Sequence, residues 1–279
     1  MRAPPRLTDR PTLLRQRARA RRLGGDRFLD RIAMDEVEAR LSEVKRTFTA
    51  PAIVTGAPEV WGALLPGARV VSDAPELDLA PGAHDLIVHA MTLHWADDPL
   101  GQLIQCRRAL RPDGLLIAVA PGGRTLAELR SALAEAEARL SGGLAPRVAP
   151  MADIRDLGAL LQRAGLAMPV ADALTLPVAY ASLADLARDL RAMGEGNALA
   201  ERHRRTPPRA LFAEAERIWR AHWPAEGGRL RATFELIFLT GWAPAPGQPQ
   251  PLRPGSAEID LGSALAALRE RDEQEESPE

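Results

Sequence analysis

LRPDGLLIAVAPGGRTLAELR, residues 110–130, decides the fold class. Its centre, Leu115 to Ala120, is apolar throughout with no alternation, the pattern of a strand buried on both faces of a sheet. A Pro112-Asp113-Gly114 turn precedes it, and Gly122-Gly123 follows it. Thr125 and Glu128 then stand three positions apart, which predicts a capping box at the start of a helix. That helix presents Leu126, Leu129, Leu133 and Leu140 and stops at Gly142-Gly143. A buried strand handed straight to a helix is half of a βαβ unit.

The alternation extends in both directions. AIVTG (52–56) predicts a strand ending in glycine, with a helical stretch running to about Leu65. ARVVSDA (68–74) predicts a second strand and AHDLIVHA (83–90) a third, and a helix follows from about Asp97 to Leu110. That helix carries Leu100, Leu103, Ile104 and Ala109. Beyond residue 150, Ile154, Leu157, Leu160, Leu161 and Ala164 form an amphipathic helix closed by Gly165. A strand to about residue 178 comes next, then helices at about 183–193 and 209–223. TFELIFLTGW (233–242) is a late strand with Phe234, Leu236 and Phe238 on one face.

The expected fold is therefore α/β: a doubly wound, mostly parallel sheet whose last strand is antiparallel. N-terminal helices precede it, and a small helical cap is inserted before the last strand. The corresponding divisions are a helical arm at 1–48, an α/β core at 49–178, a cap at 179–228, a closing core segment at 229–262 and an acidic tail at 263–279.

Composition narrows the class. The 279 residues are 46% hydrophobic and 26% charged, enough for a proper core. With 36 basic and 37 acidic residues the net charge is −1, so no global field favours nucleic acid or a membrane surface. Charge is uneven along the chain: residues 1–25 carry a local +7 and residues 269–279 a local −4. The arginine run RQRARARR reads as the solvated face of a surface helix striped by Leu13, Leu14 and Ala18, with an RNA-binding arm or a transit-like segment as alternatives. Cys106 is the single cysteine, which excludes an internal disulfide and any cysteine-cluster metal site. No apolar run approaches the roughly 20 residues of a membrane span, and no secretory stretch opens the chain, so a cytoplasmic location is expected. His84, His89 and His94 are spaced by five, which places no two of them on one face, and no metal site is expected.

Five strings carry a resemblance: MTLHWADDP (91–99), GGRTLAELR (122–130), RVAPMADIRDLGALLQRAGL (147–166), DLRAMGEGN (189–197) and RPGSAEIDLG (253–262). In this order they resemble one branch of the class I S-adenosylmethionine-dependent methyltransferases, that of the complex I assembly factor with protein-arginine hydroxylase activity. The biotin-pathway malonyl-carrier-protein methyltransferases are more distant relatives. The N-terminal LTDRPTLLRQRARAR (7–21) and DEVEARLSEVKRTF (35–48) match that branch too, so the likeness spans about residues 6–262. It implies S-adenosylmethionine as cofactor and, as partner, a protein substrate or assembly partner such as a complex I subunit.

The chain departs from that family at the cofactor loop. The superfamily binds its cofactor on a GxGxG loop after the first strand, where bare backbone can approach the ligand. Here the position reads Val54-Thr55-Gly56-Ala57-Pro58-Glu59-Val60-Trp61, and only Gly56 remains. The chain is also short after this loop, and aligned on the family it lacks the second strand with its ribose-binding acid, or has merged it. Asp73 then stands for the ribose acid or the adenine acid, or is a turn residue before Pro75, with Asp78 next in line.

The resemblance thus assigns Gly56, Ala57, Asp73, Leu93 and Trp95 to the cofactor, and His94 to catalysis, at the carboxyl end of a strand where open α/β sheets place their ligands. His94-Trp95 also reads as a strand-end packing pair. Gly122-Gly123 reads as a tight turn or as an anion site at a helix start. Met193-Gly194-Glu195-Gly196-Asn197 reads as a helix cap or a substrate-side loop. Three function classes follow: a methyltransferase-family enzyme acting on a protein, a cofactor-poor assembly protein on the same fold, and an RNA-binding or RNA-modifying protein.

Overall fold

The computed structural model describes residues 6–249. The closing RPGSAEIDLG string and the acidic tail lie outside the described residues.

Six strands form one sheet: β1 (Pro51–Thr55), β2 (Arg69–Val71), β3 (His84–Ala90), β4 (Leu110–Pro121), β5 (Ala167–Tyr180) and β6 (Leu230–Trp242), in the order β2-β1-β3-β4-β6-β5. The first four run parallel. β6 is antiparallel to both of its neighbours, β4 and β5. The expected order of events is thus met: Leu115–Ala120 lies inside the sheet, joined to β1 through β3.

The continuous apolar runs exist because both faces are covered. On one face Ile53, Leu86, Val88, Ile117, Phe234 and Phe238 pack under α2 (Phe28–Glu43), α5 (Ala127–Ser141), α7 (Leu183–Met193) and α8 (Arg209–His222). On the other, Val54, Ile87, Leu116 and Leu239 pack under α4 (Pro99–Ala109) and α6 (Ile154–Arg163). Adjacent residues of one strand therefore feed different cores, and the Phe234, Leu236, Phe238 stripe belongs to the first. α1 (Arg10–Leu23) precedes these layers and opens on Asp9, whose side chain accepts the Thr12 amide.

Three local expectations are corrected. The stretch after β1 is not a helix to Leu65 but a single turn, α3 (Pro58–Trp61). Past Trp61 the amides of Ala63 and Leu64 bond only three residues back, a tightening that lets the chain reach Arg69 and open β2. α1 is more than a surface helix: Leu13, Ala20 and Arg17 are buried, whereas Leu14 is half exposed.

The capping box does not form. The N-cap of α5 is Leu126, at φ 53°, and no side chain caps it. Thr125 Oγ1 instead donates to the Glu235 carbonyl and accepts from the Glu235 amide, at 3.0 Å each. Glu128 accepts from the Thr233 amide at 3.2 Å and from the Thr233 hydroxyl. The two residues that look like a cap pin β6 to the start of α5, because buried strand groups must find partners. Replacing Thr125 by Val should lower the unfolding free energy by about 1–2 kcal/mol, since the Glu235 amide loses its acceptor in a buried setting, while Ser should keep most of it. Urea unfolding checks this; a Val variant as stable as the parent would restore the capping reading.

Candidate functional site

The carboxyl ends of β1, β2 and β3 meet at one edge of the sheet, and the expected site residues gather there. β2 lies directly beside β1, with Ala52 facing Arg69 and Val54 facing Val71. The strand thought missing is present, reduced to three residues at the outer edge. Asp73 follows it and so takes the place of the acid next to the glycine loop. Pro75 does not make it a mere turn residue, because its carboxylate is buried and fully engaged.

Both Asp73 partners come from α1. Arg10 donates to its two oxygens at 2.7 and 3.0 Å and to its backbone carbonyl at 2.6 Å. Arg17 donates to the same two oxygens at 2.8 and 3.0 Å. Arg17 is itself only 3% exposed, although it sits in a run of arginines that reads as a solvated face. It lies flat against Gly56: a Cβ added there would stand 2.3 Å from the Arg17 Cζ, so a larger residue would require the guanidinium to shift. Ala57, next in the chain, is buried, and its amide donates to Thr55 Oγ1 at 3.1 Å.

A second group forms around the turn Leu93–Trp95. Leu93 is buried against the α4 side of the sheet. His94 Nε2 lies 3.0 Å from Glu195 Oε2, and Trp95 Nε1 donates to the same oxygen at 2.7 Å. His94 Nδ1 is buried without a partner. His94 and Trp95 thus share one carboxylate. Glu195 is the residue that sequence reasoning missed. Its string, Met193 to Asn197, was visible, but a contact across 101 positions was not.

Burial alone would raise the Glu195 carboxyl; the His94 imidazole, then Arg17, and the Trp95 hydrogen bond bring it below its ordinary value. Behind them Asp30 accepts from Arg27 at 3.1 Å and from Trp61 Nε1 at 2.9 Å, and burial pushes its carboxyl up. The Trp61 indole is therefore turned into the core under α2 and does not crowd the loop.

The other two histidines are spent elsewhere. His84 Nδ1 meets the Ala50 carbonyl at 3.0 Å, and His89 Nε2 meets Gln102 Oε1 at 3.1 Å. Among the described residues no group of three or more His, Cys, Asp or Glu could hold a metal ion. Burial pushes the Cys106 thiol up to about 12, so it is no nucleophile at neutral pH. At Gly122-Gly123 the anion is internal: Glu235 Oε2 accepts the Arg124 amide at 3.1 Å and fills the space beside Gly122.

Two kinds of space border this edge. A cavity of about 440 Å³ is walled by apolar side chains including Leu126, Leu133, Val148 and Phe212, with His94, Trp95 and Glu195 also lining it. That volume falls in the range of ligand sites. The cleft over Gly56 and Asp73 is different. Between Arg17, Gly56, Thr92 and Glu195 no room is left for a water molecule. What remains is split into about 140 Å³ on the Arg10 side of Asp73 and about 270 Å³ on the Arg17 side. Neither part reaches the ~300 Å³ lower bound of small-molecule pockets. With α1 docked, Arg17 divides the cleft over Gly56 and Asp73 into these two spaces.

The Asp73 pair has a pH signature. Burial would raise its carboxyl, yet the two guanidiniums bring it from 3.8 down to about 2. A carboxyl depressed on folding stabilises the protein above its unfolded value and loses that contribution as pH falls toward the folded one. Asp73→Asn should thus remove about 2 kcal/mol at neutral pH and flatten the loss of stability between pH ~4 and ~2. Unfolding curves for parent and variant across that window check it; parallel acid limbs would show the pair to be energetically idle.

Residues 34–118 match the family described as a methyltransferase domain. The mitochondrial arginine-hydroxylase NDUFAF5 of Danio rerio is 34% identical over 197 residues, which cover 71% of this chain and 61% of that protein. Its Homo sapiens counterpart is 33% identical over 198 residues, 71% of this chain and 57% of that one. The malonyl-[acyl-carrier protein] O-methyltransferase of Laribacter hongkongensis is 35% identical over 178 residues, 64% of this chain and 57% of that one. The chain spans about three-fifths of the length of the curated relatives it matches. Among the described residues no helix is long and apolar enough to cross a membrane. Over residues 34–118 the α/β core thus resembles a methyltransferase domain, and the chain is similar to the arginine-hydroxylases and the O-methyltransferase named above.

Proposed function

We propose that this chain acts on a protein substrate in respiratory complex I assembly, and that the substrate side chain enters the cavity beside His94 and Glu195. The observation that carries the reading is the pair of a buried His94 and a part-buried Glu195 lining a 440 Å³ cavity at the carboxyl edge of the sheet. Glu195 holds Nε2, so Nδ1 is the imidazole atom left to exchange a proton with a substrate or to orient it. The relatives' name points to arginine as the residue acted upon, and an anionic Glu195 suits a cationic side chain. S-adenosylmethionine is the superfamily's cofactor and methylation its usual reaction; Gly56, Ala57, Asp73, Leu93 and Trp95 are the residues proposed to hold the group once Arg17 is out of the way. The proposed location is the cytoplasm, a reducing setting that suits one buried thiol; the name of the animal relatives says mitochondrial.

A second reading has its own support. The filled cleft favours an assembly protein that keeps the fold without catalysis. Of the α1 arginines, Arg10 and Arg17 are committed to Asp73 and are not free for RNA.

Deletion of the gene in its source organism, followed by complementation, separates these readings. Loss of the chain should reduce assembled complex I on native gels. His94→Ala, produced at parental level and melting normally, should restore less than about a tenth of it, as expected when an acid–base group worth 10²–10⁴-fold is removed. Full rescue by His94→Ala would favour the non-catalytic reading, and normal complex I without the chain would remove both.

A further inference from the structure

We propose that α1 is a plug that competes with the cofactor for one site, so that Arg17 must leave Asp73 before S-adenosylmethionine can bind. This rests on the reading of the Gly56–Asp73 cleft as the cofactor's.

Four close fits show that the helix is seated by shape as well as by charge. Gly56 receives the Arg17 guanidinium. Gly194, at φ +79°, would put a Cβ 3.2 Å from the Arg17 Cα, and Gly196 would put one 2.1 Å from Gln16 Oε1. Gly25, just past α1, would put one 2.4 Å from Ala192 Cβ. The glycines at the end of α7 thus make room for α1, as the single glycine left in the cofactor loop does. The rest of the seat is both polar and apolar: Gln16 Nε2 donates to the Asn197 carbonyl at 3.0 Å, the Asp9 amide to the Ala198 carbonyl at 2.8 Å and Arg202 to Asp9 and Thr12 at 2.9 Å each, while Leu13 is buried with Trp95, Ala198 and Leu199.

Charge gives the site its selectivity. Arg17 stands between two carboxylates, bonded to Asp73 and within electrostatic range of Glu195. When α1 withdraws, Arg10 leaves with Arg17, and two positive charges are gone from a buried acidic cleft. A buried acid deprived of its cation is costly, and a ligand that brings a cation relieves that cost. S-adenosylmethionine carries a sulfonium; S-adenosylhomocysteine has a neutral sulfur. The cleft should therefore prefer the first once α1 is displaced.

If the undocked state is populated at 1–10%, apparent affinity falls by its reciprocal, and removing the plug should raise affinity for S-adenosylmethionine about 10- to 100-fold. Calorimetric titration of full-length parent and Arg17→Ala with S-adenosylmethionine and S-adenosylhomocysteine reads this directly. The expected result is weak binding by the parent, at least a tenfold gain in the variant, and a larger gain for the sulfonium ligand. Trypsin supplies a second measurement on the parent alone, since α1 is rich in arginines that docking protects. Saturating S-adenosylmethionine should speed cleavage between Arg15 and Arg22, and this decides the matter if Arg17→Ala does not fold. Equal affinity in parent and variant, including no binding by either, overturns the plug, and so does a cleavage rate that the ligand leaves unchanged. Such a failure alongside a His94-dependent complementation would refute the plug but leave the substrate cavity standing; the reverse pattern would spare the plug and refute the cavity.

Discussion

One guanidinium holds the functional edge of this molecule together. Arg17 lies on the backbone of Gly56, binds both oxygens of Asp73 and stands within electrostatic range of Glu195. Through these partners it ties α1 to the ends of β1 and β2 and to the glycine-rich turn after α7. A buried arginine is tolerated only when its charge is met, and here Asp73 binds it directly while Glu195 adds a second negative charge nearby. The carboxylates need it in turn. Asp73 is almost fully buried, and without its two arginines the balance of burial against charge would move its carboxyl upward instead of down to about 2.

The sheet is the rigid support for this edge, and its legibility follows from how it is covered. Runs such as Leu86 to Val88 and Leu115 to Ala120 are buried on both faces, so they are apolar at every position and stand out from any helix period. The helices at 183–193 and 209–222 were equally plain, because each covers the sheet with one face only. The antiparallel β6 could be read from TFELIFLTGW for the same reason as β4: both cores claim its residues alternately, Phe234 and Phe238 for one and Ile237 and Leu239 for the other.

The features hidden from the sequence depend on long-range partners. Thr125 and Glu128 have the spacing of a capping box, and only the presence of β6 more than a hundred residues later turns them into strand anchors. Trp61 stands close to the cofactor loop in the sequence, but Asp30 on α2 turns its indole inward. Arg17 could not be told from its neighbours Arg15 and Arg19 without knowing that Gly56 leaves it a place. His94 was legible as a strand-end residue of the right chemistry; its partner Glu195 was not, since nothing in a single sequence links positions so far apart. Local chemistry thus named the edge, and tertiary pairing decided what occupies it.

Glu195 is where the two halves of that edge meet, and this has a chemical consequence. One oxygen of its carboxylate serves both His94 and Trp95 on the cavity side, while Arg17 acts on it from the α1 side. Arg17 stabilises the carboxylate form of Glu195. The proposed displacement of α1 would take that charge away, so the docking of one helix bears on both spaces through a single carboxylate.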